Sequence, residues 1–253
     1  MYHWYYIWSP KYEIFHQILS SSLVDASGIV LHPIFAKQSY FTPTSKEGHF
    51  FSGLTIKQFV IEKALREHKG EHIIVSDADL IVLQKDKITD YLKNYEKNEI
   101  TCMKDTVETD TYNMGFMLLK STESTAALFS KITTRIKEEN GHDQMILNEE
   151  LSSFSGPHGL FSLPEFVQSN MREEIVDDTL LIQCLCTVGS TSDDILVEKL
   201  LSISFLLDIT EFKQYIPNSI VNILINHTKQ FDPLNYISTW EVSRCPVVES
   251  PPQ

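Results

Sequence analysis

The sequence predicts an α/β protein: one domain built on a mixed, mostly parallel sheet flanked by helices. Three observations carry this. Over residues 1–120, strand-like and helix-like segments alternate, the signature of a parallel sheet covered on its faces. The runs His72–Val75 (HIIV) and Leu80–Leu83 (LIVL) are apolar without a break, as central strands buried on both sides are. A chain of 253 residues with a hydrophobic fraction of 42% has enough material for one large core.

Taken in order, Tyr2–Trp8 (YHWYYIW) is aromatic and β-prone, with Tyr6 and Trp8 on one face and Tyr5 and Ile7 on the other. Lys11–Val24 has helical spacing at Tyr12, Phe15, Ile18 and Leu19. Gly28–His32 is a short apolar run, followed by a turn-rich loop, AKQSYFTPTSKEGHF. In SGLTIKQFVIEKALREHKG, residues Ile56, Phe59, Val60, Ile61, Ala64 and Leu65 form one apolar face at helical period. Thr55 with Gln58 reads as a capping box, Gly70 as the glycine that ends the helix, and Lys57 as a solvated helix lysine rather than one that approaches a bound ligand.

After the strand HIIV come a helix near Lys87–Tyr95, a strand at Ile100–Met103 and an acidic loop, KDTVETDTY. NMGFMLLK reads as a buried strand and Thr122–Lys137 as a helix. NGHDQMILNEEL opens with a glycine turn and continues as a short helix. FSGPHGLFSLPEF reads as a loop, Thr191–Leu207 as a helix, and SIVNILINHTKQFD as a strand running into a turn. The Pro-rich tail, residues 246–253, reads as frayed.

The net charge of −13 repels nucleic acid and anionic membranes, so neither is an expected partner. An anionic substrate needs a local device, such as a metal ion, a helix N-terminus or a few basic side chains. None of Cys102, Cys184, Cys186 and Cys245 forms a CxxC pair, so a zinc site is not expected. The N-terminus lacks the charged and apolar regions of a signal peptide, and no run reaches the roughly 18 apolar residues of a membrane span. The expectation is a soluble cytoplasmic protein.

The chemistry concentrates at Asp77-Ala78-Asp79, at the carboxyl end of HIIV, where ligands bind in open α/β sheets. Residues i and i+2 of an extended chain point the same way, so both acids would address one ligand. Two hard carboxylates suit Mg²⁺ or Mn²⁺, which share their coordination with substrate phosphates. Burying the two without a cation would be costly.

An apolar strand ending in Asp-x-Asp resembles the signature of GT-A glycosyltransferases, which use nucleoside-diphosphate sugars as donors. Two further stretches are similar to that family in order and spacing: YNMGFMLLKST (Tyr112–Thr122) to its Asn-x-Gly-apolar strand, and HDQMILN (His142–Asn148) to its Asp-Gln-x-x-x-Asn helix start. The helix FSGLTIKQFVIEKAL resembles the one that precedes the motif in small microbial and viral members. A viral member would act in the host cytoplasm.

The resemblance implies a GT-A domain over residues 1–245, with a nucleotide-binding half (1–105) and a sugar and acceptor half (106–245). Asp77 and Asp79 would hold Mn²⁺ or Mg²⁺, with His227 as third ligand and His158 as runner-up. Asn113 and Gly115 would lie beside the donor sugar, and Lys229 would meet a phosphate. Trp8, at the end of the first strand, would face the base. Asp143 and Gln144 would sit beside the anomeric carbon, Asp143 holding a sugar hydroxyl or acting as base. Residues 150–220 would carry acceptor recognition, the acceptor being a glycan or another hydroxyl compound.

Each residue also has a plainer reading: Asn113 as a strand cap, Gly115 as a packing glycine, Asp143 as a helix N-cap and the aromatic residues as core. Two other functions compete. In a haloacid-dehalogenase-type phosphatase Asp77 would be the nucleophile, but that motif belongs near an N-terminus and its later acidic cluster is missing here. A binding module without turnover would hold a nucleotide sugar and release nothing.

Overall fold

The computed structural model describes residues 1–36, 49–139, 141–168, 176–184 and Lys199. Strand β1 (Tyr2–Trp8) leads through a 3-10 turn at Pro10–Tyr12 into α1 (Glu13–Ser22), β2 (Ile29–Phe35), α2 (His49–Glu67) and β3 (His72–Ser76). Then come β4 (Leu80–Val82), α3 (Lys85–Leu92), β5 (Ile100–Lys104), β6 (Tyr112–Lys120), α4 (Glu123–Glu139) and α5 (Asp143–Leu151). Three short strands follow: β7 (His158–Leu160), β8 (Phe166–Gln168) and β9 (Leu181–Gln183).

Six strands form one sheet in the order β2-β1-β3-β6-β5-β7. β1 is parallel to β2 and β3, and β7 to β5, while β6 runs antiparallel to both its neighbours. The expected mixed, mostly parallel sheet is present. The alternation read in β1 sorts its residues between two cores. Trp4 and Tyr6 pack with Phe15, Ile18 and Leu19 of α1, and Tyr5 and Ile7 with Ile61, Ala64 and Leu65 of α2 and Phe129 of α4. Each buried Ile, Leu or Phe among them contributes about 1.5–3 kcal/mol through the surface it removes from water.

Four local readings need correction. β4 (LIV) is not a central strand of the main sheet: it pairs with β9 in a separate sheet of order β4-β9-β8. The stretch read as a loop, FSGPHGLFSLPEF, contains β7 and opens β8, whose residues are too few to show a period. Helix α2 starts at His49, so Thr55 and Gln58 lie inside it and form no capping box. Its buried stripe is Lys57, Gln58, Val60, Ile61, Ala64 and Leu65, whereas Phe59 is 60% exposed. Positions 57, 61 and 64 share a face at 3.6 residues per turn, and 59 is turned away from it. Gly70 does take the left-handed backbone expected beyond a helix end, at φ +82°. The helix and strand expected over 191–207 and 219–232 lie, apart from Lys199, outside the described residues.

Candidate active site

Asp77-Ala78-Asp79 is the link by which the chain leaves the main sheet at β3 and enters the small sheet at β4. Both ends of the link are pinned by backbone bonds. The Asp77 N–H donates to the Gly115 carbonyl at 2.9 Å, and the Asp79 carbonyl accepts from the Cys184 N–H at 2.8 Å. Below it, the Trp4 indole donates to the Ser76 hydroxyl, which donates to the Asp77 carbonyl.

The two acids sit in different surroundings. The Asp77 side chain is 38% exposed and Asp79 is 2% exposed. Each holds an ammonium. Lys57 donates to Asp77 Oδ1 at 2.7 Å and to the Met114 carbonyl at 2.9 Å. Lys199 pairs with Asp79 Oδ2, its ammonium 5.8 Å from the centre of the Tyr12 ring. Burial alone would lower the pKa of Lys57, but Asp77, Asp143 and Asp79 around it more than compensate and keep it charged. Lys199 likewise is raised against its burial by Asp79. Burial raises Asp79 itself, Lys199 pulls it back down and the neighbouring Asp77 adds to the rise.

The Met114 carbonyl is available to Lys57 because β6 bulges. Cys102 pairs with Met117, yet Met103 pairs with Asn113, so Met114–Phe116 have no partner on β5. Asn113 holds the bulge: its Oδ1 accepts from the Gly115 N–H at 2.6 Å and its Nδ2 donates to Asp105 at 2.9 Å. Gly115 leaves room for the Gln183 side chain. A Cβ there would lie 2.0 Å from the Gln183 amide, which lies across it and donates to Asp77 Oδ2 at 3.3 Å.

Asp143 is the first residue of α5. His142, not Asp143, is the N-cap. Asp143 is buried, and its Oδ1 accepts from the Gln144 N–H at 2.8 Å. Asn148 fixes the helix to β6: it accepts from the Tyr112 N–H and donates to the Tyr112 and Gln144 carbonyls, all at 2.8–2.9 Å. The motif's final asparagine thus ties the start of α5 to β6 through Gln144.

The structure gathers Asp77, Asp79 and Asp143 around Lys57, with Asn113 and Gly115 shaping the strand beside them. Three acids face two ammoniums. Asp79 Oδ1 and Asp143 Oδ2 are buried and have no hydrogen-bond partner among the described residues, nor has Gln183 Oε1. Buried carboxylate oxygens without partners are expensive, and a cation or donor hydrogens would satisfy them. Asp79 Oδ1 and the weakly held Asp77 Oδ2 are oxygen donors of the kind Mn²⁺ or Mg²⁺ takes.

The other expected site residues have contacts of their own. The Trp8 ring stacks on His16 at 4.2 Å and meets Phe35 at 4.7 Å. His158 packs between Tyr112 and Phe154, with Nδ1 3.0 Å from the Gly156 carbonyl. His227 and Lys229 lie outside the described residues. Lys57 overturns its solvated reading, being 6% exposed. The signal for it was available, since it falls on the stripe of Ile61 and Ala64. Nothing local in the sequence marks Gln183 or Lys199.

The sequence model of the nucleotide-diphospho-sugar transferase family matches residues 42–199. No curated protein matches the chain. Among solved structures, it is similar to a glycosyltransferase involved in glycosylation of the major capsid of PBCV-1, with TM-score 0.56 and 12% identity over 74% of this chain and 95% of that one. It is also similar to the apo form of the glycosyltransferase GlyE of Streptococcus pneumoniae TIGR4, with TM-score 0.53 and 12% identity over 90% of this chain and 63% of that one. At such identities the likeness is one of fold, and the fold is GT-A. Among the described residues, no helix is long and apolar enough to cross a membrane.

Proposed function

The chain belongs to the nucleotide-diphospho-sugar transferase family, and from that premise we propose a metal-dependent glycosyltransferase that moves a hexose or pentose from a nucleoside diphosphate to a hydroxyl, on a glycan acceptor. Family membership sets the phosphatase reading aside. The observation that carries the proposal is the cluster at the end of β3, where three acids face two ammoniums and two buried carboxylate oxygens lack partners among the described residues.

In this reading Asp77 and Asp79 hold Mn²⁺ or Mg²⁺, joined by His227. The ion, when bound, supplies Lewis-acid stabilisation of the charge that develops on the departing diphosphate. Lys57 holds Asp77 through Oδ1, and Lys199 pairs with Asp79 Oδ2. Lys229 meets a phosphate oxygen. Residues 1–105 serve the nucleotide, with Trp8 on the base side, and 106–245 serve the sugar and acceptor. Asn113 and Gly115 line the sugar's edge. Asp143, whose Oδ1 accepts from the Gln144 N–H, accepts a sugar hydroxyl or takes the acceptor's proton, and Gln144 stands beside it.

The test is donor hydrolysis and binding. Incubation with Mn²⁺ and a panel of nucleoside-diphosphate sugars is expected to release free nucleotide slowly from one of them. Asp79→Ala is expected to lose metal-dependent nucleotide binding. Tight donor binding with no release from any donor would favour the non-catalytic module. Unchanged donor affinity in Asp79→Ala, with metal removed, would sink the mechanism.

A further inference from the structure

Well away from the acids, on the α2 side of the sheet, three imidazoles meet. His3 on β1, His32 on β2 and His68 just past the end of α2 each offer one ring nitrogen, and these three atoms lie within 4.8 Å of one another. His3 Nδ1 is 2.8 Å from His32 Nε2, and the His3 and His68 rings stack with centroids 3.9 Å apart. His3 stands opposite Ile73 in the β1–β3 register, four residues before Asp77, or about 13 Å along a strand.

We propose that His3, His32 and His68 form a second cation site, for Zn²⁺ or a similar transition-metal ion. Imidazole nitrogens suit such ions, whereas Mg²⁺ and Mn²⁺ prefer the oxygens at the other end of the sheet. Burial and the neighbouring rings hold His3 and His32 below the usual histidine range, so their lone pairs are open to a metal at neutral pH. His68 Nδ1 lies 3.2 Å from Glu71 Oε2, the carboxylate support that metal-bound histidines commonly have. His68 Nε2 meets the Tyr5 hydroxyl at 2.8 Å. That hydroxyl also has Glu67 Oε2 at 3.4 Å and can turn to it when an ion takes the ring nitrogen.

The His3–His32 contact is a hydrogen bond that needs a proton on one of the two nitrogens. A change of tautomer frees both lone pairs without changing either ring's charge. The widest nitrogen spacing then closes toward the roughly 3.3 Å that zinc–nitrogen bonds of about 2.0–2.1 Å imply. The three rings come from three elements, so an ion would tie the end of α2 to β1 and β2. α2 is the helix that carries Lys57 beneath Asp77.

The experiment uses the full, untagged chain, stripped with a chelator and titrated with Co²⁺ as a spectroscopic stand-in for Zn²⁺. Apart from any ion held by the oxygens of the acid cluster, one Co²⁺ per chain is expected with the intense visible absorption of a tetrahedral nitrogen-bound ion, displaced by Zn²⁺. His32→Gln and His68→Gln should each weaken Zn²⁺ binding at least about 100-fold, since even outer-shell partners are worth roughly 10–100-fold. Asp79→Asn should leave it intact. A weak octahedral-type spectrum, unchanged affinity in both histidine variants, or loss in Asp79→Asn would each overturn the site. Circular dichroism of the metal-free variants separates unfolding from ligand loss. If one variant unfolds, His3→Gln takes its place, and if all unfold, the wild-type Co²⁺ spectrum decides.

Discussion

The two ends of α5 carry acids in opposite states. At its C-terminal end every acidic partner is matched. Glu150 takes Lys131 on one oxygen at 2.6 Å and Arg135 on the other at 2.9 Å, and Arg135 also grips Glu139 and Glu149. At its N-terminal end Asp143 is as deeply buried as Glu150, yet one oxygen has no partner among the described residues. The same helix therefore separates an acid cluster that closes on itself from one that is left open. A closed cluster serves the fold. An open one places unmet hydrogen-bonding capacity where a ligand can meet it, and the native state carries that burden for function.

The largest expected effect breaks the open end. Asp143→Asn should lower kcat/KM for transfer by roughly 10²–10³-fold, the usual loss when one charged group at a reacting centre is neutralised. It should not lower the melting temperature, because Asn keeps the acceptor for the Gln144 N–H and removes a buried charge. Unchanged kcat/KM in this variant would reduce Asp143 to a helix-start residue.

Lys57→Met should move both readouts. It leaves Asp77 Oδ1 and the Met114 carbonyl without their donor, while Gln183 still reaches Asp77 Oδ2. The expected loss is about 2 kcal/mol of stability, below the usual range for a broken buried pair because Asp77 is partly exposed. Urea unfolding measures this. Asp77→Asn alongside it gives a double-mutant cycle, in which strictly additive losses would mean that the two groups do not act as a pair. Donor affinity should fall as well, since Lys57 is a positioning residue for Asp77.

The sequence made the strands and the acids legible because their signals are local. Alternation in YHWYYIW, the apolar run of HIIV and the Asp-x-Asp that ends it each lie within one element. What stayed hidden depends on contacts across the fold. Gln183 reaches Asp77, and Lys199 reaches Asp79, over more than a hundred residues. The antiparallel course of β6 and the bulge at Met114–Phe116 leave no periodic trace, because a strand buried on both faces reads alike in either direction. Lys57 is a different case: its charge points to solvent, yet its place on the stripe with Ile61 and Ala64 puts it inside.

The smallest expected effect belongs to the closed end. Glu150→Gln keeps an acceptor of nearly the same shape but loses two charge-assisted bonds, to a Lys131 that is mostly exposed and an Arg135 that is less so. A loss of about 1 kcal/mol follows, with kcat/KM unchanged, the reverse of the pattern at Asp143. Its pH dependence has a definite sign. Lys131 above all, with Arg135, holds the Glu150 carboxyl below the usual glutamate range despite its burial. A group depressed in the folded state contributes stability that is fully present above its unfolded pKa of about 4.3 and fades as pH falls through the folded value. Thermal melts from pH 7 down to 3 should therefore show wild type and Glu150→Gln converging only at the acid end. If their separation instead stayed constant down to pH 3, the cluster would not act through charge, and the contrast between the two ends of α5 would rest on geometry alone.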